Sequence, residues 1–207
     1  MLGEKDLIEK IKTYNSFFNP VTLSKAYNFA LEAHKNQKRD EGIPYISHPV
    51  AVANILTELK LDSATITTGL LHDTVEDTKA TYDSVKKEFG KEVADLVEGV
   101  TKISALEEKA VETSKAENFR KLILATSKDI RVLLVKIADR LHNMRTIKAI
   151  SKKDKRERIA QETMEIYAPL ADRMGMHRIR DELEDLSFEV LNNDARSLIQ
   201  KRLDEIK

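Results

Sequence analysis

The chain has 207 residues, and its 35 lysines and arginines are balanced by 35 acidic residues, so its formal net charge is zero. That balance excludes a protein that holds long DNA or RNA by charge alone, because such domains carry a basic excess. No apolar run reaches the ~18 residues of a membrane span, and the absence of cysteine excludes disulfides and thiolate metal sites. These features predict a cytoplasmic globular protein with neither a nucleic-acid nor a membrane partner.

Only six glycines and four prolines interrupt a hydrophobic pattern of helical period, which predicts an all-α fold. Thr22 is the expected N-cap of the second helix, and Pro169 should kink or end the helix that contains it. We expect one domain of roughly nine to eleven helices. In chain order the predicted helices cover 5–13, 22–37, 48–59, 62–78, 81–90, 90–103, 117–129, 130–150, a stretch within 151–176, and 178–206, with a loop at 38–47 and a mobile loop or marginal helix at 104–117.

Four side chains of the kind that bind metals are spread along these predicted helices. His48 opens one helix, the pair His72-Asp73 lies in the string LLHDTVEDT, and Asp139 lies in VKIADRLHNMRTI. Polar groups in an apolar helix cost free energy unless something binds them, and a divalent cation satisfies an imidazole and a carboxylate together. Two imidazoles, two carboxylates and no thiolate suit Mn²⁺, Fe²⁺ or Zn²⁺.

An acidic pair follows the His-Asp pair by one helical turn. Glu76 and Asp77 are four residues beyond His72 and Asp73, so they crowd the same helix end. They lie too far along to be first-choice ligands but are placed to touch a water at the metal, where a carboxylate acts as general base. Since a metal also polarises phosphoryl oxygens, the pattern predicts metal-assisted phosphoester hydrolysis.

Each of these residues also has a plainer interpretation. Glu76-Asp77 could be a solvated helix end, and Asp139 could pair with a neighbouring arginine.

Asn143 and Thr146 share the helical face of Asp139 and would face the occupant of a cleft. Basic residues that could hold phosphates are Lys38, Arg39, Arg140 and Arg145. We read His34, His142 and His177 as hydrogen-bonded core residues, and Lys152, Lys153, Lys155 and Arg156 as a solvated turn.

The order His…His-Asp…Asp resembles the signature of the HD superfamily of metal-dependent phosphohydrolases. Longer strings, YISHPVAVANIL, GLLHDTVEDT, KAENFRKLILATSKDIRVLLVKIADRLHNMRTI and EIYAPLADRMGM, are similar to the N-terminal hydrolase domain of Rel/SpoT-type alarmone synthetase/hydrolases. The similarity covers about residues 20–200. It implies that 1–207 is an HD-type helical hydrolase that uses Mn²⁺ to convert (p)ppGpp into GDP or GTP and pyrophosphate.

The resemblance also implies roles for single residues. Glu76 and Asp77 match the acidic pair that handles the attacking water, and His48, His72, Asp73 and Asp139 match the metal ligands. For the nucleotide, Arg39 matches the arginine beside the guanine ring, Asn143 and Thr146 match further contacts, and Arg156 falls in a basic region near the phosphates. Independently of the resemblance, segment 104–117 lies between the two ligand-bearing helices in sequence, and we expect it to be mobile without ligand and to order over the bound nucleotide.

Two departures from the family leave alternatives open. Asp40-Glu41 stand where the family often has a small or basic residue and a serine, and two acids there could weaken binding of a polyanion. The chain ends at Lys207, where long family members continue into synthetase and regulatory domains, so a fragment and a short hydrolase are both allowed. An HD enzyme acting on another nucleotide, or a module that binds (p)ppGpp without cutting it, also fits, whereas a purely structural bundle leaves the His-Asp pair unexplained.

Overall fold

The structure, a computed structural model, describes residues 3–109 and 129–206. Within those two ranges it has ten α-helices of eight or more residues and no β-strand, which confirms the all-α prediction. The predicted helix at 117–129 lies outside the described residues except for its last residue, Asp129. Of the segment 104–117, which is expected to order over the nucleotide, residues 110–117 also lie outside them. Along the described helices, none is both long and apolar enough to cross a membrane.

The chain divides into two compact units, residues 1–139 and 140–207. That 1–207 acts as one hydrolase domain stays a prediction. The helices of the first unit are α1 (Glu4–Lys12), α2 (Pro20–Ala33), α3 (Ser47–Glu58), α4 (Ser63–Leu71), α5 (Thr74–Asp77), α6 (Tyr82–Phe89) and α7 (Lys91–Lys109). Helix α8 (Arg131–Arg145) begins in the first unit and ends in the second.

Helix α4 is the centre of the first unit, because it packs against α2, α3 and α7. Its Ile66 and Leu70 are fully buried, as is Leu56 on α3, and burial of such a side chain stabilises the fold by about 1.5–3 kcal/mol. Gly69 allows α3 and α4 to approach closely. A Cβ at this position would lie 2.6 Å from Cδ1 of Leu56 and 3.4 Å from the Cα of Ala53.

Two predicted helix boundaries in the first unit were wrong. Helix α2 begins at Pro20, and Asn19 caps it through Oδ1, which accepts from the backbone N–H of Val21 at 3.0 Å. Proline at the first helical position needs no N–H partner, so the helix starts before Thr22. The helix predicted over 62–78 is interrupted after Leu71, at His72-Asp73, where α5 begins a separate short turn.

The second unit continues from α8 into a 3₁₀ turn (Ile147–Ala149), α9 (Lys153–Glu162), a π-helical turn (Thr163–Tyr167), α10 (Ala168–Arg173), α11 (His177–Leu191) and α12 (Asn193–Ile206). The π-helical turn ends two residues before Pro169 and accommodates its missing N–H, so the predicted distortion is confirmed. The helix predicted over 178–206 instead breaks at Asn192.

The three histidines expected in the core have different outcomes. His34 is buried and its Nδ1 contacts Oε1 of Gln37, as predicted. His142 is only half-buried. The prediction for His177 was wrong: its side chain is 65% exposed, and its Nδ1 lies 3.3 Å from a carboxylate oxygen of Asp172. It is the first residue of α11, and the next residue, Arg178, is also exposed.

Candidate metal centre

Three of the predicted ligands come together in the interior of the first unit. The Nε2 atoms of His48 and His72 and a carboxylate oxygen of Asp139 all lie within 4.8 Å of one another. The two Nε2 atoms are 3.2 Å apart, and Oδ1 of Asp139 lies 3.2 Å from Nε2 of His48 and 3.8 Å from that of His72. All three side chains are buried.

Asp73 brings a second carboxylate to the same place. Its Oδ1 lies 3.0 Å from Nε2 of His72, and its Oδ2 lies 3.5 Å from Nε2 of His48. Ligand atoms bonded to one cation at about 2.0–2.2 Å stand roughly 3.0–3.5 Å apart in tetrahedral or octahedral geometry. The observed separations fall in that range except for the 3.8 Å between His72 and Asp139, and the nitrogen and oxygen donors suit a borderline divalent metal. His48, His72 and Asp139 therefore fit a divalent cation, and Asp73 lies beside them.

The orientation of His72 follows from the helix that ends beside it. Its Nδ1 lies 2.8 Å from the carbonyl oxygen of Gly69. Since a carbonyl only accepts, Nδ1 carries the hydrogen and Nε2 faces the other ligands. His48, in the first turn of α3, reaches the same point because α3 packs against α4. Asp139 arrives from α8, whose residues Val132 and Ile137 are buried in the same unit.

The pKa values in this cluster are set by burial and by the opposite charges that meet there. Burial alone would lower the pKa of His72, but the carboxylates of Asp73 and Asp139 outweigh it and raise that pKa to about 10. For His48 burial dominates, and its pKa is lowered despite the same two carboxylates. Burial acts to raise the pKa of Asp139, yet Lys136 and the imidazoles hold it well below its usual value. Loss of the proton of His72 would leave the two carboxylates with one imidazole-borne charge fewer and so favour a bound cation.

Two further residues contact the carboxylates, and sequence reasoning missed both. The hydroxyl of Tyr45 donates to Oδ2 of Asp73 at 2.7 Å, and Lys136 donates from Nζ to Oδ2 of Asp139 at 3.1 Å. A lysine within the apolar stretch VLLVKIA was an available signal. Tyr45, three residues before His48, carried no signal beyond its place in the string YISHP.

The acidic pair lies at the exposed rim of the cluster. Shielding from solvent and the nearby charge of Asp73 raise the pKa of Asp77. Shielding also raises the pKa of Glu76, against a hydrogen bond from Ser104 and the charge of Lys136. Despite the helix break, the backbone N–H of Asp77 still donates to the carbonyl of Asp73 at 2.8 Å. A carboxylate of raised pKa is a better proton acceptor near neutral pH.

The predicted loop at 38–47 forms a tight turn beside Tyr45. The backbone N–H of Arg39 donates to the carbonyl of Ile43 at 3.0 Å, and Gly42 adopts the left-handed conformation with φ of +80°. The guanidinium carbon of Arg39 lies 5.7 Å from the centre of the Tyr45 ring. Its Nε is 4.0 Å from a carboxylate oxygen of Glu41, so that acid already offsets part of its charge.

The remaining predicted nucleotide contacts lie in the second unit. Asn143 is half-buried, and Thr146 bonds through its hydroxyl to the carbonyl of His142 at 3.2 Å. Arg156 donates from Nη1 to the carbonyl of Ile150 at 2.6 Å and so ties down the turn before α9. The basic residues around it are exposed, as expected for a solvated segment, although they begin a helix. Nucleotide binding by these residues stays a prediction.

A profile of the HD domain matches residues 26–177. The chain belongs to the HD domain family. This HD chain is 52% identical over 206 residues to a Brucella melitensis protein named GTP pyrophosphokinase rsh. It is 48% identical over 218 residues to the bifunctional (p)ppGpp synthase/hydrolase SpoT of Escherichia coli K12. These alignments cover 100% and 98% of this chain but 27% and 31% of the relatives, so the chain spans less than a third of their length.

One solved structure of similar fold aligns with this chain over almost the whole of its own length. The HD chain aligns with it over 86% of its own residues and 98% of the other chain, with a TM-score of 0.62 and 25% identity. That protein is described as a metazoan ortholog of SpoT that hydrolyses ppGpp and plays a role in starvation responses. The resemblance to the N-terminal HD region of Rel/SpoT proteins is therefore confirmed.

Proposed function

We propose that this HD chain hydrolyses (p)ppGpp to GDP or GTP and pyrophosphate in the cytoplasm, and so degrades the alarmone of the stringent response. The observation that carries the proposal is the buried cluster of His48, His72 and Asp139, with Asp73 beside it and the pair Glu76 and Asp77 at its rim. The metazoan protein, which aligns over 98% of its length, is described as hydrolysing ppGpp. The names pyrophosphokinase and synthase belong to proteins more than three times as long as this chain.

The metal we propose is Mn²⁺, held by His48, His72, Asp73 and Asp139. When bound, such a cation supplies Lewis acidity, which polarises a phosphoryl oxygen and makes water a stronger nucleophile. The donor set supports this choice, because imidazole and carboxylate ligands suit Mn²⁺ and the chain has no cysteine for softer metals.

The acidic pair has the proposed role of handling the attacking water. Asp77 takes a proton from it, and Glu76 orients it. The water oxygen bonds to the phosphorus attached to the ribose 3′ oxygen, that phosphorus–oxygen bond breaks, and the 3′ oxygen leaves and gains a proton. Both phosphates of the 3′ group depart together as pyrophosphate. The raised pKa of Asp77 supports its assignment as the base.

Binding of the nucleotide is proposed to rest on Arg39, Asn143, Thr146 and Arg156. Arg39 would stack its planar guanidinium on the guanine ring, a contact that arginine makes well. Asn143 and Thr146 would hydrogen-bond the nucleoside, and Arg156 would meet phosphate oxygens. The acids Asp40 and Glu41, both exposed, would lower the affinity for a polyanion.

Product analysis of the purified chain with ppGpp tests the proposal. We expect GDP and pyrophosphate with Mn²⁺ and neither with EDTA, and a series with Fe²⁺, Zn²⁺ and Mg²⁺ tests the metal. Turnover of deoxynucleoside triphosphates, nucleoside monophosphates or cyclic nucleotides in place of ppGpp would indicate an HD enzyme of another substrate. Binding of ppGpp with Mn²⁺ but without turnover would instead indicate a regulatory module.

A further inference from the structure

Tyr45 joins a predicted metal ligand to the acidic pair. Its hydroxyl has one hydrogen but lies 2.7 Å from Oδ2 of Asp73 and 3.1 Å from Oδ2 of Asp77. The ring is held in place, because it stacks on the buried ring of His34 with centroids 4.5 Å apart and 20° between the planes. A fixed donor between two carboxylates sets the distance and the rotation of both.

Lys136 makes the corresponding connection on the other side of the cluster. It is only 5% exposed on α8, and burial of an ammonium is costly unless the group is paired. Its Nζ lies 3.1 Å from Oδ2 of Asp139 and 3.2 Å from the hydroxyl of Ser104 on α7. That hydroxyl also acts to lower the pKa of the carboxylate of Glu76, as does the charge of Lys136, so both groups act on this member of the acidic pair.

The two donors share one arrangement. Each contacts Oδ2 of a predicted carboxylate ligand, and each leaves Oδ1 of that ligand facing an imidazole. Oδ1 of Asp73 lies 3.0 Å from Nε2 of His72, and Oδ1 of Asp139 lies 3.2 Å from Nε2 of His48. Tyr45 also contacts one member of the acidic pair, Asp77, at 3.1 Å, and the charge of Lys136 acts on the other, Glu76.

We propose that Tyr45 and Lys136 are positioning residues that hold one oxygen of each carboxylate ligand toward the metal and align the acidic pair with it. The proposal rests on the metal site proposed above, but not on the identity of the nucleotide. Partners of this kind fix the orientation of ligands, and their loss costs about 10–100-fold in metal affinity.

Tyr45→Phe removes only the hydroxyl and keeps the ring against His34. The measurement is the affinity for Mn²⁺ without nucleotide, by competition with a fluorescent chelator. We expect binding at least about tenfold weaker than in the wild type. Tyr82→Phe is the matched control, because Tyr82 donates to Oδ1 of Asp95 at 2.7 Å away from the cluster, and its Mn²⁺ affinity should not change. Wild-type affinity in Tyr45→Phe would overturn the proposal.

Lys136→Met separates positioning from charge, because the two roles predict opposite signs. If Lys136 acted only as a nearby positive charge, its removal would tighten Mn²⁺ binding. As a positioning residue its removal weakens binding by about tenfold or more, and Lys136→Arg, which keeps a charged donor, restores part of the loss. Lys102→Met, at an exposed pair with Glu98, is the control. Tighter or unchanged binding in Lys136→Met would overturn the proposal.

Thermal unfolding of each metal-free variant, followed by circular dichroism, shows whether the fold is kept. If Lys136→Met does not fold, Tyr45→Phe and Lys136→Arg still decide. A wild type that binds Mn²⁺ but leaves ppGpp intact would defeat the proposed function alone. Equal affinities in wild type and Tyr45→Phe would defeat the positioning proposal alone, and a wild type that binds no Mn²⁺ would defeat both.

Discussion

Gly69 determines both the place and the orientation of His72. Its carbonyl oxygen lies 2.8 Å from Nδ1 of His72, which directs Nε2 toward the other ligands. Its lack of a side chain lets α4 approach α3, where a Cβ would lie 2.6 Å from Cδ1 of the fully buried Leu56. One glycine therefore couples the packing of two helices to the geometry of the candidate metal centre.

Gly69→Ala tests this coupling. Overpacking a buried contact costs about 1–3 kcal/mol, whereas replacing glycine by alanine within a helix gains at most about 1 kcal/mol. We therefore expect a net loss of roughly 1 kcal/mol in the free energy of unfolding, measured with urea. In a Leu56→Ala background the clash is gone, so the same substitution should cost nothing. An equal cost in both backgrounds would contradict the proposed contact.

Metal binding should release a proton from His72. Because its pKa is raised to about 10 without metal, His72 is protonated at pH 7.5, and its Nε2 must lose that proton to bind a cation. His48, with a lowered pKa, is already neutral and releases none. Calorimetric titration with Mn²⁺ in buffers of different ionisation enthalpy should give about one proton per ion, and the affinity should rise with pH toward that pKa. Release of no proton would contradict the assignment.

Asp77→Asn should separate metal binding from chemistry. The amide keeps the shape of the side chain but cannot accept the proton of the attacking water, so turnover of ppGpp should fall by about 10²–10⁴-fold. Mn²⁺ affinity should stay close to that of the wild type, because Asp77 is not a proposed ligand. Asp83→Asn, an exposed substitution on α6, is the control. Full turnover in Asp77→Asn would remove Asp77 from the proposed mechanism.

Tyr167→Phe should leave the second unit at least as stable. The ring of Tyr167 is fully buried, and its hydroxyl has no hydrogen-bond partner among the described residues. Because an unpaired buried hydroxyl only costs desolvation, its removal should change the unfolding free energy by about 0 to +1 kcal/mol. The guanidinium of Arg140, 4.3 Å above the ring, would be kept. Tyr167→Leu loses that contact and should be less stable; a loss above about 1 kcal/mol in Tyr167→Phe would refute the reasoning.

The sequence by itself determined the fold class and most of the helices. Hydrophobic periodicity and the scarcity of glycine and proline are local properties, so they predicted an all-α chain, the turn at 38–47 and the distortion before Pro169. It also singled out His48, His72, Asp73 and Asp139 as a set, because polar ligands in apolar helices need a binding partner. The residue types of this set and their positions in the chain can be read without knowing how the helices pack.

Only the tertiary structure decided which atoms meet. The break at His72-Asp73 follows from contacts of the α4 end that periodicity does not record, and helix 62–78 was therefore predicted as continuous. Tyr45 and Lys136 carry one polar group each. Tyr45 contacts Asp73, which lies 28 residues away in the sequence. Lys136 contacts Ser104, 32 residues away, and Asp139 on the next turn of its own helix. Burial, hydrogen bonding and pKa depend on such distant neighbours, because solvent exclusion is a property of the packed chain and not of any short segment.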